Sequence, residues 1–224
     1  AAFVHVWAQL PGWRVLAWLA RVPGMLWVME KAYNGFLPVR PAIQRFILKF
    51  DTSHLPPTLV ADIRTDHAGE TGAVWIYKGI LAVSRNPEIR AFASEHLHTE
   101  QRHLNAMNTL LPVFRRSWLL VPWRIAGFLT GALPALLGPS AVYRTIAAVE
   151  TFVNLHYQEQ IDKLNALGTH QALKAQLIEF QLDECAHRDA AAAKTTKPGG
   201  MFARLWVGAV GTGSKVAVTL ARFI

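Results

Sequence analysis

A length of 224 residues, with 52% apolar and 17% charged side chains, suits one domain, or one domain with an appended arm. Mean hydropathy of +0.20 is high for a soluble protein and low for a multi-span membrane protein. A net charge of +8 on so apolar a chain points to anionic lipid headgroups rather than nucleic acid. No basic run with interleaved aromatics and no nucleic-acid motif is present, and the single cysteine, Cys185, excludes an internal disulfide framework.

Residues 1–57 read as a Trp- and Arg-rich apolar helical arm that ends in the linker D-T-S-H-L-P-P. Trp7, Trp13, Trp18 and Trp27 fall here, no acidic residue precedes Glu30, and Pro11 and Pro23 cut the apolar text into pieces too short to span a bilayer. Trp and Arg beside short apolar helices suit a membrane interface; an arm packed on the domain or on a second subunit fits the same text. A bundle is expected over 58–197. Its first helix runs over about 58–85. Asn86 caps a second helix that reaches about 110, with Pro87 at its first position. Residues 111–138 are largely apolar, with Arg115 and Arg116 near their start, Arg124 near the centre, and Pro122 and Pro134 interrupting. They read as a monotopic, membrane-associated crossover, or as a buried connection. A third helix over about 139–166 takes Ser140 as its cap, and a fourth runs over about 170–194. Residues 198–224 repeat apolar side chains at helical spacing and read as an amphipathic C-terminal helix.

Six residues on the four bundle helices carry the chemistry: Glu70; Glu100 and His103; Glu150; Glu184 and His187. Residues three apart share a helix face, so each Glu-x-x-His offers an oxygen and a nitrogen to one point. From Glu70 a helix climbs roughly 24 Å to Asn86-Pro87 and descends about 20 Å to Glu100, so the two glutamates meet at one level. Glu150 and Glu184 repeat this around Gly168. Four carboxylates and two imidazoles suit two iron or manganese ions inside a four-helix bundle. His96 shares the stripe of Glu100 and His103 and reads as a rim histidine rather than a ligand. Asp183 and Asp189 lie off the ligand positions, and Cys185 reads as packing.

The sequence resembles the demethoxyubiquinone hydroxylases, di-iron monooxygenases of ubiquinone biosynthesis, from about residue 60 to the C-terminus. The resemblance rests on I-R-T-D-H-A-G-E (63–70), G-A-x-x-I-Y (72–77), E-Q-R-H (100–103), A-V-E (148–150) with H-Y (156–157), D-E-C-A-H-R-D (183–189) and the apolar G-A-L-P-A-L-L-G (131–138). It implies an all-α, ferritin-like four-helix bundle with a long apolar crossover between its second and third helices. By that resemblance, Glu70, Glu100, His103, Glu150, Glu184 and His187 hold two irons. Tyr157, His156 and Arg64 are then candidates near the substrate or the oxygen path. The implied reaction uses dioxygen to hydroxylate the ring of a polyprenylated benzoquinol, with NADH as a possible electron donor. The implied location is peripheral on an inner membrane, on the bacterial cytoplasmic or mitochondrial matrix side. A homo-oligomer or a lipid-binding partner protein is compatible.

Two other readings share the six residues. A ferritin-like ferroxidase leaves the apolar crossover and tail unexplained, and a quinol oxidase would leave the ring unmodified. A membrane scaffold or lipid-binding module leaves the two level Glu-x-x-His hairpins unexplained.

Overall fold

The computed structural model describes residues 14–42, 55–195 and 199–223. The chain divides into two compact units, 1–52 and 53–224. In the first, α1 (Arg14–Leu19) and α2 (Met25–Phe36) are described, with Gly24 in the left-handed region before α2. Trp18 and Trp27 are exposed, and Lys31 Nζ lies 5.8 Å from the Trp27 ring. Trp7, Trp13, Pro11 and part of the linker fall outside the described residues.

The second unit holds α3 (Pro57–Val83), α4 (Pro87–Leu110), α5 (Leu120–Leu137), α6 (Pro139–Leu167), α7 (Gln171–Ala193) and α8 (Met201–Ala221). A short 3₁₀ turn, Val113–Arg115, precedes α5. The helices α3, α4, α6 and α7 form the ferritin-like bundle as two hairpins, α3–α4 and α6–α7. Asn86 caps α4 by accepting from the Glu88 and Ile89 amides at 2.9 and 3.1 Å, and Gly168 ends α6 in the left-handed region. The expected Ser140 cap is corrected. The helix already starts at Pro139, behind Gly138, because proline fits the first helical position, where no amide donor is needed.

The bundle core is split into two apolar layers. One contains Ile76, Ile80, Ile89, Phe92, Tyr143 and Ile146. The other contains Leu59, Ile63, Met107, Ile161, Leu164 and Phe180. Buried polar side chains of α3, α4, α6 and α7 lie among these layers, excluded from water.

From Leu120 to Leu137 the crossover is one continuous helix, α5. Pro122 sits in its first turn and Pro134 lies inside it, so neither proline breaks the helix; Pro134 removes a single backbone donor. By length and composition α5 could cross a membrane, and only 22% of its span is buried. It lies along α3 at backbone contact. A Cβ on Gly131 would overlap the carbonyl oxygen of Ile76, and one on Gly127 would overlap that of Gly72. Its other face exposes Val121, Ile125, Leu129 and Leu136. Helix α8 packs on α6 and α3. Trp206 Nε1 donates to Thr145 Oγ1 at 2.8 Å, and Arg222 pairs with Asp62 at 2.7 Å.

Candidate metal centre and adjoining cavity

Glu70 comes from α3, Glu100 and His103 from α4, Glu150 from α6, and Glu184 and His187 from α7. All six are buried. Their ligand atoms fall into two overlapping groups within 4.8 Å: Glu70, Glu100, His103 and Glu184, then Glu100, Glu150, Glu184 and His187. Glu100 and Glu184 belong to both. The Nδ1 of His103 is 3.1 Å from Glu184 Oε1 and 3.7 Å from Glu70 Oε2. The Nδ1 of His187 is 3.0 Å from Glu100 Oε1 and 3.5 Å from Glu184 Oε2.

Four buried carboxylates cannot all keep their charge here. Burial, then the charge of Glu184, pushes the Glu100 and Glu150 carboxyls well above the usual range. Burial pushes Glu70 up to about 7, against the pull of His103. Burial opposes ionisation of Glu184 as well, yet the hydrogen bond with His103 and the neighbouring His187 imidazole hold it down at about 2. Burial would lower His103, but the bond to Glu184 and the charge of Glu70 raise it to about 9. Glu70 Oε2, Glu100 Oε1, Glu184 Oε2 and His187 Nδ1 make no hydrogen bond. Acceptor oxygens aimed at one another without donors are what divalent cations satisfy, so this donor set fits two of them.

A surrounding shell fixes the six. Tyr157 donates its hydroxyl to Glu70 Oε1, and Tyr77 donates to Glu150 Oε1 at 3.1 Å. Asp183 Oδ2 lies 3.0 Å from His103 Nε2 and is itself held by Arg102. This carboxylate behind an imidazole is the arrangement that orients metal-bound histidines. His96 is outside both ligand groups. Its ring stacks on His187, with centroids 4.1 Å apart and planes 11° from parallel.

A cavity of about 460 Å³ opens beside the carboxylates, a size suited to a small-molecule ligand. Gly69, Gly72 and Ala73 of α3, Gly127 and Thr130 of α5, Phe152 and Val153 of α6, and Ala209, Gly213 and Ala217 of α8 line it. It reaches Glu70, Glu100, Glu150 and Glu184 at one side and Thr65, Asp66, His156 and Tyr157 at another. The wall is mostly apolar and built largely from small residues, so the cavity can take an apolar group beside the carboxylates.

The profile described as "Ubiquinone biosynthesis protein COQ7" matches residues 58–221. The chain belongs to the COQ7 family. It is 37% identical over 168 residues to the NADPH-dependent 3-demethoxyubiquinone 3-hydroxylase of Dictyostelium discoideum, covering 71% of this chain and 74% of that protein. It is 37% identical over 159 residues to the 3-demethoxyubiquinol 3-hydroxylase of Rhodospirillum rubrum, covering 70% and 74%. The 5-demethoxyubiquinone hydroxylase of Saccharomyces cerevisiae is 33% identical over 146 residues, covering 58% and 63%. The COQ7 match includes all six cluster residues, α5 and all of α8.

Of the three further sequence candidates, Tyr157 and His156 line the cavity and Arg64 does not. Arg64 donates from Nε to the Arg115 carbonyl at 2.6 Å and from Nη1 to the Arg222 carbonyl at 3.2 Å. It thus staples the crossover and the end of α8 to α3. Arg64→Leu is expected to cost about 2 kcal/mol in urea unfolding, the scale of hydrogen bonds from a charged donor. Arg64→Lys should recover only part of this, because an ammonium lacks the fork that reaches both carbonyls.

Two groups escaped the sequence reading. One is Tyr77, which stands in the G-A-x-x-I-Y motif (72–77) with no role assigned to it. The other group is Asp66, Thr65 and Gln160 around His156. The only available signal was that Asp66 lies one turn before Glu70.

Elsewhere on α3, His67 is buried against Asn108, with Nε2 3.1 Å from Oδ1. Burial, then the Arg116 and Arg124 charges, depress its pKa to about 4. The folded pKa lies below the unfolded value, so folding excludes a proton. The neutral-His contribution is complete above pH ~6.5 and fades as pH falls toward about 4. Chemical denaturation at pH 7 and pH 4.5 should show this loss, and His67→Gln should flatten it.

Proposed function

We propose that this chain hydroxylates the ring of a polyprenylated demethoxybenzoquinol (demethoxyubiquinol), using dioxygen and a di-iron centre held by Glu70, Glu100, His103, Glu150, Glu184 and His187. The observation that carries the reading is the meeting of an under-donated carboxylate–imidazole cluster with an apolar cavity, in a COQ7-family chain. Relatives bear the names of demethoxyubiquinone and demethoxyubiquinol hydroxylases. Oxygen donors with one imidazole per metal suit iron, and two bound irons supply dioxygen reduction and delivery of one oxygen atom to the ring. Glu100 and Glu184, shared by both groups, would contribute to holding both metals. Tyr157 and Tyr77 each hold one oxygen of Glu70 and of Glu150 by a single hydrogen bond, leaving the other oxygen of each carboxylate to face the cluster. The apolar wall excludes water from the ring edge.

The reductant is a nicotinamide dinucleotide, NADPH as in the relatives' names or NADH. The exposed apolar faces of α5 and α8, with Arg124, Arg204, Lys215 and Arg222 on these helices and just beyond α8, support peripheral attachment to an anionic inner-membrane surface. The substrate's isoprenoid chain then stays in lipid while its ring enters between α5 and α8. A ferroxidase would have no use for this cavity. The test is complementation of a strain that accumulates demethoxyubiquinone. Restored ubiquinone is the expected result, and an expressed, iron-loaded chain that leaves the precursor unconverted overturns the proposal.

A further inference from the structure

His156 sits on the cavity wall with its Nε2 edge turned into a buried polar cluster. Nε2 is 2.9 Å from Thr65 Oγ1, 3.2 Å from Asp66 Oδ1 and 2.9 Å from Gln160 Nε2. Thr65 has one hydroxyl proton, and it is directed to the Asp62 carbonyl at 2.5 Å. Thr65 can therefore only accept from His156, and Asp66, when ionised, can only accept as well. Gln160 is the competing donor, but its amide nitrogen already donates to Asp66 Oδ1. Two acceptors, one of them charged, outweigh that donor, since charge-assisted bonds are the stronger ones.

From this geometry we propose that Asp66, helped by Thr65, is a positioning residue that fixes neutral His156 as the Nε2–H tautomer, so that its Nδ1 lone pair faces the cavity and selects a ring hydroxyl. Nδ1 has no hydrogen-bond partner among the described residues, and the side chain keeps 14% exposure where it borders the cavity. Phe152, stacked on the imidazole with planes 9° apart, holds the ring plane. A lone pair accepts from the O–H of a quinol but has nothing to receive from a quinone, whose oxygens are acceptors. Asp66 therefore makes the cavity discriminate the reduced ring from the oxidised one. Asp66 Oδ2 is buried without a partner, so the carboxylate is tied down chiefly through Oδ1, on the His156 side. This role rests on the quinol-binding reading given above.

The experiment uses the full chain loaded with zinc, which is diamagnetic and supports no turnover. Histidine ¹⁵N chemical shifts, assigned with His156→Gln, report the tautomer. Anaerobic titration with a short-chain demethoxybenzoquinol and its quinone reports the preference. Wild type is expected to show Nε2–H and to bind quinol about tenfold more tightly than quinone, the worth of one buried hydrogen bond. In Asp66→Asn an amide can donate to Nε2, so the tautomer should switch and the preference vanish or invert. Thr65→Val should keep the tautomer through Asp66 alone, and it serves as the second variant if Asp66→Asn does not fold. An Nδ1–H tautomer in wild type overturns the proposal. So does an Asp66→Asn protein that retains both the Nε2–H tautomer and the quinol preference. If the tautomer depends on Asp66 but neither ring form binds, the positioning role of Asp66 stands and the quinol reading of the cavity fails.

Discussion

Glu150→Ala is expected to abolish complementation and to lower metal content from about two ions per chain to one or fewer, read by elemental analysis after anaerobic reconstitution. Glu150 is 1% exposed and supplies an oxygen to the group it shares with Glu100, Glu184 and His187. Its loss leaves one metal position with its shared carboxylates and a single imidazole. The opposite sign is expected for the metal-free chain. Burial and the Glu184 charge push the Glu150 carboxyl well above its usual range. The folded state therefore holds this proton more tightly than the unfolded one, and stability falls as pH rises through and above the usual carboxylate range. Glu150→Gln keeps the shape and removes the ionisable group. It should raise the metal-free melting temperature at pH 7 and flatten this part of the pH dependence, while still weakening metal loading. A site that is costly when empty and satisfied when full is a familiar trade of stability for function. A Glu150→Gln protein that binds two metals with wild-type affinity would sink the assignment of this residue.

Gly131→Val is expected to be the most damaging substitution away from the cluster, costing about 3 kcal/mol or more in denaturant unfolding. The obstacle is backbone rather than a side-chain tip: the new Cβ overlaps the Ile76 carbonyl oxygen. Relief needs α5 to move off α3, which would also open the cavity wall formed by Gly127 and Thr130. Leu133→Ala, on the exposed face of the same helix, is the control and should leave unfolding of the detergent-solubilised chain within about 0.5 kcal/mol of wild type.

The bundle was legible because its signals are local. Asn86-Pro87 and Gly168 mark turns by their own backbone chemistry, and the Glu-x-x-His pairs need only helical periodicity to share a face. The crossover was harder. Pro122 and Pro134 suggested interruption, whereas the helix continues through both, since a first-turn proline costs no hydrogen bond and a single internal one is tolerated. Arg64 was misleading for a different reason. Its sequence context ties it to the substrate end, but its partners are carbonyls at 115 and 222, which no local pattern announces. The Asp66–Thr65–His156–Gln160 cluster joins α3 to α6 across some ninety residues, so only the folded arrangement brings it together.

The glycine contact between α3 and α5 also works as a depth gauge. Gly72, whose carbonyl meets Gly127, is two residues from Glu70, roughly 3 Å along the helix axis. With backbone against backbone there is no flexible side chain to absorb sliding, so α5 and the Glu70 carboxylate share one vertical coordinate. Under the proposed attachment of α5 to a membrane, the cluster would be held at a set height above the lipid plane. The distance from lipid to reactive ring would then be set by the protein rather than by the length of the isoprenoid tail, and quinols with different tails would meet the same site at the same level.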